Sequence, residues 1–199
     1  MNKPNRLNIY TISNEYINFL QEYEKQYRGY TKVSNYQGAT YSHSKPYIGI
    51  ILQLNGILYF APLTHPKEHY ENKKHFFNKL SVPIYDNELI LGRIMLCYMI
   101  PLPTLPTPIK INSIKDKAYR NLLQKQYFFL QTHEKEIIKR ANSLYKKALN
   151  REHYLHKFCC DFKILENACK LWMYQNQEIN LKSSLFKVKE STAIFSYSF

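Results

Sequence analysis

The chain has 199 residues, 45% of them hydrophobic and 15% aromatic, which is enough for the core of one globular domain. Its 28 Lys and Arg residues against 15 Asp and Glu give a formal net charge of +13, which favours polyanionic partners, nucleic acid first. The longest apolar run, residues 90–105, is interrupted by Arg93, Pro101 and Pro103 and is too short for a membrane-spanning helix. With no apolar leader at the N-terminus, we expect a cytoplasmic protein without a membrane partner.

Cysteine and histidine spacing predicts neither a disulfide framework nor a metal site. The cysteines are Cys97, Cys159, Cys160 and Cys169, whose spacing fits reduced, buried thiols. The histidines His69, His75 and His133 form no metal-binding pair on a helix, and no glycine-rich dinucleotide or nucleoside-triphosphate motif occurs. We therefore expect no cofactor and no metal.

The N-terminal segment predicts a strand followed by a helix. Residues 7–12 alternate in polarity, and Ser13 then caps a helix that repeats apolar residues at the spacing of Tyr16, Leu20 and Tyr23. Residues 28–44 are polar and without periodicity, so we place them, including Tyr41, in a loop.

The clearest local pattern is a β-hairpin. Two β-rich runs, residues 47–54 and 57–63, are joined by Asn55-Gly56, a pair typical of a type I′ turn. Further strands are predicted at residues 81–85, 89–95 and 96–100, with a turn at 86–87 and a proline-rich segment at 101–108 that closes the sheet.

The C-terminal half is predicted to be helical after a short strand at 109–111. Apolar residues recur at helical spacing from Ser113 to Ala148, and a last helix is expected at 155–174. Strands followed by helices, without βαβ alternation, indicate an α+β fold with an antiparallel sheet. We expect one domain over residues 1–181 and a tail, 182–199, that is a terminal strand, a docking segment or disordered.

Chemistry-bearing side chains cluster around the hairpin. Thr64, His65 and Lys67 follow its second strand, and Tyr41 and Lys45 precede its first. Because an antiparallel hairpin brings its outer ends together, we expect Lys45 to lie near Thr64. Ammonium groups, a hydroxyl and an imidazole without a carboxylate make a pocket suited to phosphate.

RNA supplies its own nucleophile, the 2′-hydroxyl, so such a pocket suffices for RNA cleavage. Lys45 or Lys67 would hold nonbridging oxygens, Thr64 would donate a hydrogen bond and His65 would transfer a proton. Tyr16 and Tyr41 would position a sugar or stack on a base. The alternatives are that Thr64 caps a turn, that His65 and Lys67 are solvated, and that Tyr16 belongs to the core.

Several segments, in order along the chain, resemble the ToxN/AbiQ endoribonucleases of type III toxin–antitoxin systems. They are Tyr10-Thr11-Ile12-Ser13 with Tyr16, Lys45-Pro46-Tyr47-Ile48-Gly49-Ile50, Ala61-Pro62-Leu63-Thr64 with Pro66-Lys67, Lys125-Gln126-Tyr127, and Phe158-Cys159-Cys160 with Leu165-Glu166. The resemblance implies a strongly twisted, partly barrel-like antiparallel sheet, related to the Kid/MazF toxins and wrapped by helices. It also implies metal-independent RNA cleavage that leaves 2′,3′-cyclic phosphate and 5′-hydroxyl ends.

The resemblance further implies a partner and a site. The partner is a repetitive RNA antitoxin that the toxin cuts into pseudoknots and binds in a closed protein–RNA assembly, in defence against phage by abortive infection; cellular or phage RNA is the substrate. The family's active-site residues fall on Tyr16, Tyr41, Lys45, Thr64 and Lys67. His65 stands where many members have serine, and we predict that it is functional.

Two other functions fit parts of the sequence. A basic surface with exposed tyrosines suffices for a non-catalytic RNA- or DNA-binding protein. A DNA-directed toxin that poisons gyrase on a similar barrel fits less well, because the predicted chemistry uses the 2′-hydroxyl.

Overall fold

A computed structural model describes residues 7–34 and 48–177, which form an α+β structure. The strands are β1 (Ile9–Thr11), β2 (Ile48–Leu54), β3 (Ile57–Thr64), β4 (Val82–Asp86), β5 (Leu89–Ile94) and β6 (Ile100–Pro101). The helices are α1 (Asn14–Arg28), α2 (Glu68–Asn72), α3 (Lys74–Leu80), α4 (Lys117–Leu149) and α5, whose described part covers residues 162–177. Within these ranges no helix combines the length and apolar character that crossing a bilayer requires. The tail predicted at 182–199 lies outside the described residues.

The predicted first strand, helix cap and hairpin are confirmed. The Ser13 side chain accepts a hydrogen bond from the Tyr16 N–H at 3.3 Å, which satisfies a free donor at the start of α1. Between β2 and β3, Asn55 and Gly56 both have positive φ, 50° and 80°, as a type I′ turn requires. The hairpin register pairs Gly49 with Pro62 and Leu54 with Ile57.

The sheet is antiparallel, and β3 lies at its centre. The strand order is β1-β2-β3-β5-β4, and β6 pairs with β3 as well. On the side away from β2, β3 pairs first with β6, at Tyr59 and Phe60, and then with β5, at Leu63 and Thr64. Among the described strands, β1 and β4 remain the outer edges, so the sheet is not closed.

Of the strand predicted at residues 96–100, only its end is present, as β6 at Ile100–Pro101. Tyr59 pairs with Pro101 and Leu63 with Ile94, so four steps along β3 correspond to seven along its partner chain. The three extra residues form a 3-10 turn, Leu96–Tyr98, whose apolar side chains are buried or half-buried. A buried turn of this kind has the same apolar composition as a buried strand, which is why the sequence pattern does not distinguish them.

Two other boundaries also differ from the predictions. Residues 109–111 form no strand: the Ile109 N–H donates to the Ile9 carbonyl at 2.8 Å, and Ile111–Ser113 is a 3-10 turn. The last helix starts at residue 162 rather than 155, after a 3-10 turn at His156–Phe158. The helical pattern from Ser113 onward is one continuous helix of 33 residues, α4.

The helices of the C-terminal half pack on the sheet and carry a polar contact into the core. The Glu166 carboxylate on α5 accepts hydrogen bonds from the hydroxyls of Tyr59 at 2.7 Å and Tyr145 at 2.5 Å. Burial, and then the Glu166 carboxylate, raise the pKa of Tyr145 to about 12. The predicted reduced cysteines are confirmed, since Cys97, Cys159, Cys160 and Cys169 are all buried and free.

A second buried carboxylate joins α1 to the segments that follow it and precede α5. Glu24 is fully buried and accepts hydrogen bonds from the Arg28 guanidinium at 3.0 Å, the Thr31 hydroxyl at 2.7 Å and the Asp161 N–H at 2.6 Å. The N–H groups of Lys32 and Val33 donate to it as well. A carboxylate with this many donors is held in one position, and it fixes the chain just before the undescribed residues 35–47.

Candidate active site

The candidate site is built on the turn that joins β3 to α2. β3 ends at Thr64, which is half-buried and pairs with Arg93 of β5, while His65 and Lys67 are exposed. The chain then enters α2, whose first turn is fixed by a hydrogen bond from the Tyr70 N–H to the Lys67 carbonyl at 2.9 Å. A hydroxyl, an imidazole and an ammonium are thus presented together at one strand end, as the sequence predicts.

Tyr70 is a site residue that sequence reasoning missed. Its side chain is buried and hydrogen bonded to that of Thr64, and the Lys67 ammonium lies 5.9 Å from its ring centroid. Burial raises the pKa of Tyr70, and the Thr64 hydrogen bond and the Arg93 charge oppose this only in part. Tyr70 therefore stays a neutral phenol near pH 7, beside the Thr64 side chain. In the sequence, only its position three residues after Lys67 indicated that Tyr70 could lie near this site.

Arg93 supplies buried positive charge on β5, where it pairs with Thr64 of β3. Its side chain is fully buried, its Nε donates to the Ser81 hydroxyl at 2.9 Å, and its Nη2 donates to the Asn78 side-chain oxygen. The guanidinium carbon lies 5.7 Å from the Tyr70 ring centroid. A single arginine inside the apolar run 89–95 was a usable indication, because a charged side chain is rarely placed in a core without partners there.

Gln126 of α4 reaches the same corner of the sheet. Its Nε2 donates to the Leu91 carbonyl at 3.1 Å, while its buried Oε1 has no hydrogen-bond partner among the described residues. A Cβ at Gly92, whose φ is 154°, would lie 2.5 Å from the Thr64 carbonyl oxygen and 3.1 Å from the Gln126 Nε2. Only glycine allows β5 to approach both groups this closely.

The structure does not bring Tyr16 to this site. The Tyr16 side chain is buried, its hydroxyl donates to the Pro101 carbonyl at 2.8 Å, and its ring centroid lies 5.3 Å from that of Trp172. Pro101 pairs with Tyr59, five residues before Thr64 on β3, a separation of roughly 16 Å along the strand. Burial also raises the pKa of the Tyr16 hydroxyl. The other two predicted residues, Tyr41 and Lys45, lie outside the described residues.

The described side chains of the site are hydroxyls, cations and an imidazole. Within residues 7–34 and 48–177, no group of three or more His, Cys, Asp or Glu side chains is placed to hold a metal ion. Thr64 and Lys67 can donate hydrogen bonds to an anion, and the charges of Lys67 and of the neighbouring Arg93 create a field that attracts one. The chemistry that this arrangement suits is the binding of a phosphate group at a strand end.

The fold is that of a small α+β protein with a candidate phosphate-binding site at the end of its central strand, and comparison with known proteins gives its family. Residues 8–170 match the profile of the family described as "Toxin ToxN, type III toxin-antitoxin system". The chain belongs to this family, which confirms the resemblance seen in the sequence.

Individual relatives support the same family membership. The chain is 32% identical over 179 residues to Endoribonuclease ToxN of Bacillus thuringiensis subsp. kurstaki, covering 85% of this chain and 86% of the relative. It is 29% identical over 176 residues to Endoribonuclease AbiQ of Lactococcus lactis subsp. lactis, covering 83% and 89%.

Solved structures share the fold. One, from work on selective toxin inhibition by a non-coding RNA pseudoknot in type III systems, has a TM-score of 0.65 at 30% identity and covers 84% of this chain and 98% of its own. The structure of AbiQ, described as a lactococcal anti-phage endoribonuclease, has a TM-score of 0.66 at 23% identity over 83% and 97% of the two chains.

Proposed function

We propose that this protein is the endoribonuclease toxin of a type III toxin–antitoxin system. The RNA 2′-hydroxyl attacks the adjacent phosphorus, the bond to the 5′-oxygen breaks, and the products carry 2′,3′-cyclic phosphate and 5′-hydroxyl ends. The observation that carries the proposal is the Thr64 hydroxyl, next to Tyr70 and to the buried charge of Arg93 on the neighbouring strand, in a chain of the ToxN family. No metal is needed in this scheme.

Each site residue has a role that its position supports. The Thr64 hydroxyl donates a hydrogen bond to a nonbridging oxygen as negative charge develops in the transition state. The exposed Lys67 ammonium neutralises the same phosphate, and the exposed His65 imidazole transfers a proton, to the leaving oxygen or from the 2′-hydroxyl.

We assign Lys45 to the phosphate and Tyr41 to the sugar or a base. In the antiparallel hairpin Gly49 pairs with Pro62, so the chain that precedes Gly49 enters from the Thr64 end of β3. This direction supports a position for Lys45 near Thr64. For Tyr16, the hydrogen bond to Pro101 supports a structural role in place of a catalytic one.

The inhibitor in this proposal is an RNA. A relative of known structure is described as inhibited by a non-coding RNA pseudoknot, and the charge of +13 supports an RNA partner here. We propose that the toxin processes a repetitive antitoxin transcript in the cytoplasm, is held by it in a closed protein–RNA assembly, and cuts cellular or phage RNA when released, which aborts infection. Residues 1–181 constitute the toxin domain.

The finer description of the fold belongs to this proposal as well. β3 changes partner from β6 to β5 across a three-residue turn, and a change of partner of this kind favours a bend in the sheet at its central strand. This bend supports the partly barrel-like sheet and the relationship to the Kid/MazF toxins that the sequence resemblance implies.

The test is the chemistry of the RNA ends. The purified protein is incubated with cellular RNA in EDTA, and the products are tested for kinase-dependent labelling of 5′-hydroxyls and for ligation that requires a cyclic phosphate. New ends of both kinds are expected, and none on a strand carrying 2′-deoxyribose throughout. Tight RNA binding with no new ends would refute the enzyme and favour a non-catalytic binding protein.

A further inference from the structure

A basic cleft lies on the other side of residues 78–81 from Arg93. It has a volume of about 380 Å³ and lies between the end of α3, one face of α4 and residues 153–155. This volume is within the range of sites that hold small organic ligands. The cleft is therefore larger than a site for a single bound ion.

The polar side chains around the cleft are mainly hydrogen-bond donors, and Leu144 and Leu155 also line it. Arg140, Ser143 and Lys147 occupy one stripe of α4 at three- and four-residue spacing, and Lys79 of α3 faces them. No carboxylate is among the described lining residues.

Arg140 is already fixed, which leaves the two lysines available. Its Nη2 donates to the carbonyl oxygens of Asn78 and Ser81, and its Nη1 lies 3.5 Å from a Glu136 oxygen. Lys79 and Lys147 are exposed and form no ion pair with any residue in the described part of the chain. They are therefore free to neutralise a phosphate that enters the cleft.

An aromatic face completes the cleft. The Tyr154 ring is 49% exposed, stacks on His153 with centroids 4.9 Å apart, and has the Lys79 ammonium 5.6 Å from its centroid. The His153 Nδ1 accepts the Leu155 N–H at 3.1 Å, so its proton is on Nε2, a further donor. Phosphate-directed cations beside an exposed ring are the two features that bind a nucleotide of single-stranded RNA.

We infer that this cleft is a second RNA-binding site, which takes one unpaired nucleotide outside the cleavage site, its phosphate between Lys79 and Lys147 and its base on Tyr154. The inference rests on the proposed function, because it needs RNA as the ligand. The cleft and the cleavage site are parts of one rigid unit, since the same residues, Asn78 and Ser81, accept hydrogen bonds from Arg140 on one side and Arg93 on the other.

The test uses the full chain and a single-stranded oligouridine of about 20 nucleotides with methylated 2′-hydroxyls, which cannot be cut. In Lys79→Ala/Lys147→Ala, the slope of log affinity against log salt should fall by about 0.7, because the one phosphate that the two lysines neutralise contributes about 0.7 to it. Tyr154→Ala should weaken binding at least about five-fold, and Tyr154→Phe should restore most of it. The control is Lys135→Ala, on α4 but away from the cleft, which should change neither.

Cleavage of unmodified RNA is measured in parallel. If the double lysine variant cleaves normally and its affinity and salt slope are unchanged, the cleft is not an RNA-binding site, while the proposed function still stands. An equal effect of Lys135→Ala would also rule out the cleft, because the reduced affinity would then reflect general charge alone. Absence of cleavage by the unmodified protein would instead refute the proposed function. All four substituted residues are exposed, so the variants should keep the unmodified protein's melting temperature.

Discussion

Replacing Glu24 by Gln should destabilise the protein far more than so small a change in side-chain structure suggests. The substitution keeps the shape but removes the charge that pairs with Arg28, whose side chain is only 8% exposed. It also replaces an acceptor oxygen by an amide group, which meets N–H donors such as that of Asp161. Leaving a buried charge without its partner costs about 3–5 kcal/mol, and for a chain of this length that lowers the melting temperature by about 6–20 °C.

Urea unfolding followed by circular dichroism measures the free energy of unfolding, with Glu22→Gln as the control on an exposed position of the same helix. The control should change it by less than about 0.5 kcal/mol. A decrease below about 1 kcal/mol for Glu24→Gln would refute the reasoning, because it would mean that the buried carboxylate is not holding its donors. Cleavage below the melting temperature should fall as well, since Glu24 fixes Lys32 and Val33 next to the segment that carries Lys45.

Three further predictions concern the site, the hairpin and alkaline pH. Thr64→Val should lower the cleavage rate constant by about 10²–10³-fold, and Thr64→Ser, which keeps the hydroxyl, should restore most of it in a single-turnover assay; a Val variant at full rate would remove Thr64 from the chemistry. Gly49→Ala should cost at least about 1–3 kcal/mol in urea unfolding, because its Cβ would overlap the carbonyl of Ala61; near-unchanged stability would contradict the hairpin register. Burial raises the pKa values of Tyr16 and Tyr59, so above pH 10 the folded state keeps protons that the unfolded state releases. The contribution of each tyrosine to the free energy of unfolding is therefore fully present below pH 10 and falls above it by about 1.4 kcal/mol per pH unit. The free energy of unfolding, measured from pH 9 to 11, should show this decline. Tyr59→Phe should make the decline with pH less steep by the contribution of one tyrosine, and an unchanged slope would contradict the raised pKa of Tyr59.

Features determined by neighbouring residues were predictable from the sequence. The Asn55-Gly56 turn and the Ser13 cap are set within four residues, and both are confirmed. The position of Thr64 at the end of β3 was predictable for the same reason, because a hairpin fixes where its strands end; its role in the chemistry stays a prediction. In contrast, the 3-10 turn at Leu96–Tyr98 exists because β3 pairs with two strands in different registers, a long-range condition that no local pattern records.

Tyr16 and Arg93 show the same limit at the level of single side chains. The helical spacing of Tyr16 fits a buried core position as well as a site position, and only the hydrogen bond to Pro101, 85 residues away, distinguishes them. Arg93 stands in an apolar strand, and its role depends on Asn78 and Ser81, which the sequence gives no reason to place beside it. Side chains that act through distant partners need the fold before they can be assigned.

In the proposed function, the buried charge of Arg93 is what would allow an exposed strand end to act on a phosphate. Lys67 and His65 are solvated, and solvated charges interact weakly because water and salt screen them. Arg93 is fully buried and held by Ser81 and Asn78, so its charge is screened less and needs no reorganisation as charge develops on the phosphate. The solvated surface cations would then capture RNA, while the fixed buried cation, acting with the neighbouring Thr64 hydroxyl, would favour the transition state over the bound substrate.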